Sequence, residues 1–439
     1  MSPDTPATPS QPGRALVIVG APVGHHPSTG GEMRRQHIIA AVRRIVSVDV
    51  FVVHASSGEE LAEMASAFDV RTGGLSSNPP KPPRARRTLT MILHPLLPSR
   101  ICRKDSQRIA AEFAHFRRRP DPYEITIVER IEDYLLLKSE LAGHVVVDLD
   151  DLESDLLGQA RRLRRSSDDP AVGPHPIKAF LRRPFTTIKQ MSRRPRLALT
   201  LALDERRWKQ IERSTAASVG NVLVCNDEDR AKLGSPTNAV MARNGFDQTH
   251  PPVGRLEVGD PPTVGFWGSI GYQPNADAAA FLVEEVLPLL QAMIPDVRVL
   301  IVGRGADRLD LGGRPAVTVE GYVEEMSSAL ARIDIAVVPL RMGVGTRIKA
   351  LEAWANRIPV VSTSIGAYGL VQDEASGLLI ADSPAELAEA LRDALTDKDL
   401  RRRLTEEGWA RVQSHSWAAM EAALGNLVTG VCSLPEGHP

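Results

Sequence analysis

The chain has 439 residues, of which 43% are hydrophobic and 24% are charged, and this length and composition predict a globular protein of two domains of roughly 200 residues each. The formal net charge of -1 argues against nucleic acid as a main partner, because proteins that follow a phosphate backbone usually carry a basic surplus. Cys102, Cys225 and Cys432 are too few and too widely spaced to indicate a disulfide framework or a metal cluster, so a reducing cytoplasm is the expected compartment.

The N-terminal residues 1–13 are rich in Pro, Ser and Thr and are expected to form a disordered leader. They lack the apolar stretch of a signal peptide, and no later segment has the roughly 18 consecutive apolar residues of a membrane span. The sequence therefore predicts a cytoplasmic protein that is neither secreted nor membrane-spanning.

The first folded segment predicts the opening of a doubly wound α/β domain. Residues 15–19 are an apolar run typical of a buried strand, residues 20–32 are rich in glycine, and residues 33–45 have the apolar spacing of a helix. The glycines do not form a G-x-G-x-x-G pattern, which argues against a nicotinamide or flavin enzyme.

Further strands are predicted at residues 49–54, 125–128 and 144–148, which are short and rich in β-branched residues. Residues 71–105, between the first two of these strands, are rich in Pro, Arg and Ser. This composition indicates an irregular insertion.

Three carboxylates, Asp148, Asp150 and Asp151, lie at the end of the last of these strands. Because α/β sheets bind ligands at the carboxyl ends of their strands, these acids could hold a metal or orient a hydroxyl. The alternative is that they cap the next helix, since Asp is a common N-cap residue.

A basic run extends from Arg161 to Arg194, with ten Lys or Arg against two Asp. Such a run is usually a solvated face. The more specific alternative is a peripheral contact with a membrane that contains anionic lipid.

The middle of the chain predicts the end of the first domain. Residues 211–218 indicate a helix, residues 222–225 a strand, and residues 240–247 contain an Asn-Gly pair that suits a turn. Residues 248–262 contain four prolines and two glycines and are expected to be a linker.

The second half of the chain repeats the order strand, glycine loop, helix. The strand is predicted at residues 263–267, the loop at Gly268–Gly271 and the helix at residues 275–293. Two more strands are expected at residues 297–302 and 317–321, so this half predicts a second doubly wound domain.

A third glycine loop follows the predicted buried strand at residues 335–340. Gly343 and Gly345 allow a sharp backbone path, and Thr346 is the expected N-cap of a helix over residues 347–356.

The first turn of that helix predicts an anion site, because Arg347 and Lys349 add their charges to the free N–H groups and the positive end of the helix dipole. Glu352 lies on the same face as Lys349, where a carboxylate could accept the hydroxyls of a ribose. The alternative is that Lys349 and Glu352 form a solvated surface pair.

This segment resembles the donor-site signature of family 4 glycosyltransferases, in the subgroup with a G-x-G-T-R-x-K-x-x-E-A pattern. The matching residues are Gly343, Gly345, Thr346, Arg347, Lys349, Glu352 and Ala353. Many members of the wider family carry two glutamates in this helix, and here Val344 stands at the first position. The resemblance therefore implies that Arg347 and Lys349 bear more of the diphosphate load.

The resemblance and the glycine-rich turns together define a candidate site. The catalytic candidates are Arg347 and Lys349, which would stabilise the leaving diphosphate, and Glu352, which would hold the ribose. The resemblance implies that Gly30 and Gly31 face the donor phosphates and that Arg304, Tyr322 and Val323 line the nucleoside. The full set of donor-binding candidates is Gly30, Gly31, Gly268, Ser269, Gly271, Arg304, Tyr322, Val323, Gly345, Thr346, Gly366, Gly369 and Leu370.

The acceptor side is expected in the first domain. In the resembling family a histidine often follows the strand that matches residues 125–128, and this chain has Glu129 and Arg130 there. The acceptor-side candidates are Glu129, Arg130, Asp148 and Asp150, and the histidines that could substitute are His94, His115 and His144.

The predicted fold class is α/β, with two Rossmann-like doubly wound domains facing a cleft, as in GT-B glycosyltransferases. The expected divisions are a leader (1–13), an acceptor domain (14–247), a linker (248–262), a donor domain (263–415) and a C-terminal helix with a tail (416–439), the helix packing back on the first domain. A D-x-D pattern also occurs in metal-dependent glycosyltransferases of another fold, but the two-domain pattern argues against that assignment.

The predicted activity is transfer of a hexose or amino-hexose from a nucleoside diphosphate sugar to a hydroxyl with anomeric retention, without a cofactor or a metal. The hydroxyl acceptor could be a saccharide, a lipid-linked molecule or a natural product. The alternatives are a nucleotide-sugar 2-epimerase, a non-catalytic nucleotide-binding partner subunit and, more distantly, an NAD-dependent oxidoreductase.

Overall fold

The computed structural model describes residues 13–24, 30–54, 57–75, 97–98, 101, 106–117, 122–167, 195–248, 250–309, 313–370 and 377–432. Several predicted features lie outside the described residues: the leader up to residue 12, residues 25–29 of the first glycine-rich segment, most of the insertion with Cys102 and His94, residues 168–194 of the basic run, and the tail from residue 433.

Seven parallel strands form the first sheet, in the spatial order 3-2-1-4-5-6-7. The strands are β1 (Arg14–Val19), β2 (Ser47–Val52), β3 (Arg71–Gly74), β4 (Ile125–Val128), β5 (His144–Asp148), β6 (Asn221–Val224) and β7 (Ala239–Met241). The order reverses between β1 and β4, which makes the crevice beyond their carboxyl ends the expected place for a ligand.

Helices cover both faces of this sheet. They are α1 (Gly30–Arg43), α2 (Gly58–Phe68), α3 (Ser106–Phe116), α4 (Ile131–Leu137), α5 (Glu153–Ser167), α6 (Pro195–Ser218) and α7 (Asp227–Lys232). Alternate residues of β1 enter different cores, with Val17 on one face and Leu16 and Ile18 on the other. Burial on both faces explains why the strand is continuously apolar.

Six parallel strands form the second sheet. If they are numbered 1 to 6 along the chain, their spatial order is 3-2-1-4-5-6, as for the first six strands of the first sheet. They are β8 (Thr263–Trp267), β9 (Arg298–Val302), β10 (Val317–Glu320), β11 (Ile335–Val338), β12 (Val360–Ser362) and β13 (Leu378–Ile380). The order reverses between β8 and β11.

The helices of the second half are α8 (Gln273–Phe281), α9 (Leu287–Met293), α10 (Met326–Leu330), α11 (Ile348–Ala355), α12 (Pro384–Thr396), α13 (Lys398–Val412) and α14 (Trp417–Cys432). A π-helical turn (Leu282–Val286) joins α8 to α9, and a 3-10 turn (Ala306–Arg308) follows β9. The predicted fold class, two doubly wound α/β lobes, is confirmed.

The last helix, α14, packs on the first lobe. Its Trp417 stacks on His37 of α1 with ring centroids 4.5 Å apart, and Met420 and Leu424 enter the core that contains β1. The backbone at Gly245 packs closely against the start of α14, since a Cβ built on Gly245 would lie 2.2 Å from the backbone nitrogen of Trp417. The two connections between the lobes therefore touch at Gly245.

Some boundaries differ from the sequence prediction for identifiable reasons. Gly30 and Gly31 form the first turn of α1, whereas the helix was expected to begin at Met33, because glycine spacing alone does not distinguish a loop from a helix start. The expectation that Thr346 caps α11 is wrong: Arg347 occupies the N-cap position, and no side chain of the described residues caps that helix. The strand β3 lies where an irregular insertion was expected, because two of its four residues are glycines and carry no strand signal.

Candidate active site

The glycine loops of the second lobe meet at its topological switch point. Gly268 follows β8, and the loop with Gly343 and Gly345 connects β11 to α11. All three glycines have positive φ values, between +73° and +142°, so other residues would strain these turns. The N-terminus of α11 thus opens on the crevice where doubly wound sheets bind ligands.

Lys349, in the first turn of α11, extends toward the loop that follows β8. A Cβ built on Gly268 would lie 2.9 Å from both Cε and Nζ of Lys349, and Nζ lies 5.7 Å from the ring centre of Phe266. Burial lowers the pKa of Lys349 to about 8; Arg347 acts in the same direction and Glu352 opposes it. An anion bound in this crevice would favour the charged ammonium and raise this pKa.

Gly268→Ala is expected to keep the fold and to impair this arrangement. The new methyl group would strain the turn, whose φ at Gly268 is +139°, and would displace the side-chain ends of Lys349 and Asn275. A misplacement of about 1 Å costs roughly 100-fold in rate. Gly234→Ala is the matched control, since Gly234 also has a positive φ (+93°) and a Cβ built there meets no atom of the described residues within 4 Å. Nucleotide release from a sugar donor and the melting temperature measure both effects; unchanged release with Gly268→Ala would contradict the placement of Lys349.

Arg347 is buried, with 7% of its surface exposed. Its Nε donates to the carbonyl oxygen of Ile365 at 3.0 Å and its Nη1 to that of Val344 at 2.8 Å. Its Nη2 has no hydrogen-bond partner among the described residues. Because leaving a buried guanidinium nitrogen unpaired is costly, this atom is suited to a ligand oxygen.

Glu352 lies one turn beyond Lys349 and is half-buried. Its Oε2 accepts a hydrogen bond of 2.7 Å from Nε1 of Trp267, at the end of β8. Burial raises the pKa of Glu352, while Trp267 and Lys349 favour its charged form. Glu352 is therefore held against the β8 loop and does not form the solvated surface pair.

The nucleoside-side candidates form one edge of the crevice. The guanidinium of Arg304 lies 5.6 Å from the ring centre of Tyr322, and Tyr322 is 68% exposed, while Val323 is half-buried. The backbone N–H of Ile270 donates to the carbonyl of Arg304 at 3.0 Å. This bond ties the turn of Arg304 to the loop that contains Gly268, Ser269 and Gly271.

The first lobe reaches the site through the N-terminus of α1. A Cβ built on Gly30 would lie 2.7 Å from Cδ1 of Ile348, the first residue of α11, whereas one built on Gly31 would meet no atom of the described residues within 4 Å. The positive ends of two helix dipoles thus converge across the cleft.

The turn after β12 joins the lobes. Gly369 packs on Asn226, whose Nδ2 would lie 3.1 Å from a Cβ at that position. The adjacent Tyr368 hydroxyl accepts from Nζ of Lys232 at 2.7 Å and donates to Oδ1 of Asp229 at 2.5 Å. In this structure the donor-binding candidates Gly366 and Leu370 lie inside this packed turn: Gly366 abuts the Val338 carbonyl and Leu370 is fully buried.

The structure gives the three acids at the end of β5 different surroundings. Both oxygens of Asp148 accept hydrogen bonds of 2.7 Å from Arg34, and Asp148 is 2% exposed. Asp150 accepts from Nδ2 of Asn244 at 2.9 Å. Asp151 is exposed within the cleft, and Asp148 is too enclosed to contact an acceptor.

The two acceptor-side candidates after β4, Glu129 and Arg130, also differ in their surroundings. Glu129 accepts three hydrogen bonds, two from Arg35 at 3.0 and 2.8 Å and one from the backbone of Gly20 at 2.7 Å. Arg130 is exposed beside the same turn, since its Cδ would lie 2.9 Å from a Cβ on Gly20. Glu129 therefore shapes the loop after β1, and Arg130 remains available to an acceptor.

The histidine candidates lie away from the crevice where they are described. His144 is the first residue of β5, so it lies at the amino ends of the strands, whereas the crevice lies at their carboxyl ends. Its Nε2 lies 2.7 Å from Oδ1 of Asn221. His115 is exposed in the last turn of α3, and His94 lies outside the described residues.

Within the described ranges, no group of three or more His, Cys, Asp or Glu side chains could hold a metal ion. In the same ranges no helix has the length and apolar character that crossing a bilayer requires.

Comparison with known proteins places the resemblance in the second lobe. Residues 261–397 match the family model described as "Glycosyl transferases group 1". The chain is similar to the phosphatidyl-myo-inositol mannosyltransferases of Mycolicibacterium smegmatis (32% identity over 162 residues, 35% of this chain and 41% of that protein) and Propionibacterium freudenreichii (27% over 195 residues, 42% and 49%). The match thus spans less than half the length of these relatives.

Solved structures resemble the whole chain. The sucrose-phosphate synthase of Thermosynechococcus elongatus has a TM-score of 0.59 at 16% identity, covering 94% of this chain and 98% of its own. WaaG, a glycosyltransferase of lipopolysaccharide biosynthesis, has a TM-score of 0.57 at 14% identity (94% and 100%), and Anabaena HepE in complex with UDP-glucose has 0.55 at 13% (95% and 99%). These likenesses show a GT-B fold, in which residues 261–397 match a glycosyltransferase family model.

Proposed function

We propose that this protein is a glycosyltransferase that moves a hexose or amino-hexose from a nucleoside diphosphate sugar to a hydroxyl with retention of anomeric configuration. The observation that carries the proposal is the pair of Arg347 and Lys349 at the N-terminus of α11, in the crevice between β8 and β11. The match of residues 261–397 to a glycosyltransferase family model supports it.

The physical task of such a site is to separate a cationic sugar from an anionic leaving group. The Nη2 of Arg347, which has no partner in the part of the chain that the structure describes, and the ammonium of Lys349 would bind the oxygens of the leaving diphosphate. The backbone N–H groups of the first turn of α11 would join them. These fixed charges would supply the stabilisation, so the proposal requires no metal.

The donor would lie across the glycine loops. Glu352, held by Trp267, would accept the ribose hydroxyls, and the open edge formed by Arg304 and Tyr322 would receive the base. Gly30 and Gly31 would cover the diphosphate from the first lobe, which excludes water from the reacting bond.

The acceptor is proposed to enter from the first lobe, residues 14–247, with residues 263–415 as the donor domain. The relatives named above are phosphatidyl-myo-inositol mannosyltransferases, which favours a lipid-linked hydroxyl over a free saccharide or a natural product. A cytoplasmic protein that touches the membrane peripherally would suit such an acceptor.

A thermal-shift screen tests the donor site directly. The full chain is screened against UDP, GDP, UDP-glucose and GDP-mannose. We expect either the uridine or the guanosine nucleotides to raise the melting temperature, because a ligand that binds only the folded state stabilises it. Nucleotide release is then measured with phosphatidyl-myo-inositol vesicles as the acceptor. A stabilising nucleotide without release would indicate a binding subunit, an epimerised sugar would indicate an epimerase, and the lack of any shift would contradict the site.

A further inference from the structure

Asp151 brings a carboxylate of the first lobe to the donor loop of the second. Its Oδ1 would lie 2.6 Å from a Cβ built on Gly345, whose φ is +73°. Any other residue at position 345 would both strain the loop and collide with this oxygen. The loop thus leaves room for Asp151 at the point where the lobes meet.

The two preceding acids anchor Asp151 in place. Asp148 makes a bidentate ion pair with Arg34, and Asp150 accepts from Asn244, both within the first lobe. Arg34 also donates from Nη1 to the side chain of Asn244 at 2.7 Å. With both neighbours fixed, the backbone presents the Asp151 side chain to the cleft.

A hydrogen-bond donor of Arg347 faces the same loop. The Nη2 of Arg347, a residue that is 93% buried, has no partner among the described residues. A bound group that contacts both sides must therefore accept hydrogen bonds from Arg347 and donate one to Asp151. A glycosyl phosphate next to an acceptor hydroxyl has this pattern.

We propose that Asp151 is the catalytic base of the transfer, a role that rests on the function proposed above. The acceptor oxygen bonds to the anomeric carbon while the bond from that carbon to the phosphate oxygen breaks. The hydroxyl proton passes to the Asp151 carboxylate, and the electron pair of the broken bond stays on the diphosphate beside Arg347. Because base and leaving group are adjacent, the hydroxyl arrives on the face that the phosphate leaves, which would retain configuration.

The surroundings of Asp151 suit this role. Enclosure between the lobes raises the pKa of Asp151 to about 8, although its side chain reaches solvent in the cleft, and Asp150 acts in the same direction while Arg347 opposes both. A base with a pKa near the working pH is effective. The charged or titratable groups that face Asp151 are Asp150, Glu153, Asp229, Tyr272 and Arg347.

The test compares Asp151→Asn with the wild type, using UDP-glucose and GDP-mannose as donors and phosphatidyl-myo-inositol vesicles as the acceptor. Asp151→Asn is expected to lower nucleotide release by about 100-fold or more. Its affinity for UDP or GDP should stay equal or increase, because a negative charge near the diphosphate is removed. At saturating donor, the wild-type rate should rise with pH around pH 8, and Asp151→Asn should lose this rise.

Asp227→Asn is the matched control, because Asp227 follows the neighbouring strand β6 and pairs at the surface with Arg243 at 2.8 Å; its rate should equal that of the wild type. Asp151→Asn that keeps the wild-type rate overturns the role of Asp151 while the transferase proposal stands. If Asp151→Asn also loses nucleotide affinity or lowers the melting temperature, the catalytic role of Asp151 is overturned in favour of a structural role. Wild-type protein that releases nucleotide from neither sugar overturns the transferase proposal and this role together.

Discussion

Lys349→Ala is expected to abolish the thermal shift that the best nucleotide gives and to lower nucleotide release by about 100- to 1,000-fold. The ammonium of Lys349 lies against the loop of Gly268, at the switch point of the second sheet. Arg347 is engaged with two carbonyl groups, so it cannot move to replace the lost charge. The fold should remain intact, because the side chain is only half-buried.

The same residue predicts a pH dependence. Diphosphate binding needs the charged ammonium, and burial lowers the pKa of Lys349 to about 8 in the free protein. Donor affinity should therefore be highest below pH 8 and fall as the pH rises above it. Lys349→Arg should bind more weakly at pH 7, because the geometry differs, but its affinity should fall less above pH 8, since a guanidinium stays charged and only the ionisation of Asp151 then opposes the diphosphate.

Lys398→Ala is the control for the loss of a lysine, because Lys398 pairs with Glu257 at the surface and both side chains are more than half exposed. Its nucleotide shift should match that of the wild type. Calorimetric titration from pH 6.5 to 9.5 gives the affinities. If Lys349→Ala keeps the nucleotide shift, the anion site does not lie at the start of α11.

Sequence patterns predicted the parts of the site that are local in the chain. The glycine loop, Arg347, Lys349 and Glu352 lie within one β-loop-α unit, where helical spacing fixes which side chains share a face. The same reasoning predicted the paired doubly wound lobes, because both start with an apolar strand followed by a glycine-rich segment.

Contacts between distant segments had no sequence signal. The bond from Trp267 to Glu352 joins residues that are 85 positions apart, and neither residue type specifies such a partner. The acids at the end of β5 show the same limit: Asp148, Asp150 and Asp151 are chemically equivalent in the sequence, and the position of Arg34 determines which one is buried in an ion pair. The sequence prediction named Asp148 and Asp150 as the acceptor-side candidates, whereas it is Asp151 that reaches the donor loop.

Asp148→Asn is expected to destabilise the first lobe by about 3–5 kcal/mol, the usual cost of removing one partner of a buried ion pair. Arg34 and Asp148 are each 2% exposed, and Arg34 also donates to the Ala242 carbonyl at 2.7 Å. Burial disfavours the charge of Arg34, but the carboxylates of Asp148 and Asp150 outweigh it and raise the pKa of Arg34. Without Asp148, much of this compensation is lost and the guanidinium remains buried.

A variant series separates this structural role from a catalytic one. Arg34→Met combined with Asp148→Leu should recover part of the stability, because two apolar side chains remove both buried charges. Arg43→Met is the control on the same helix: its pair with Asp69 is exposed, so the change should stay within about 0.5 kcal/mol. Scanning calorimetry measures the stability of each variant. If Asp148→Asn melts like the wild type but releases no nucleotide, Asp148 contacts substrate. The structural role assigned to Asp148 and the catalytic role assigned to Asp151 would then have to be exchanged.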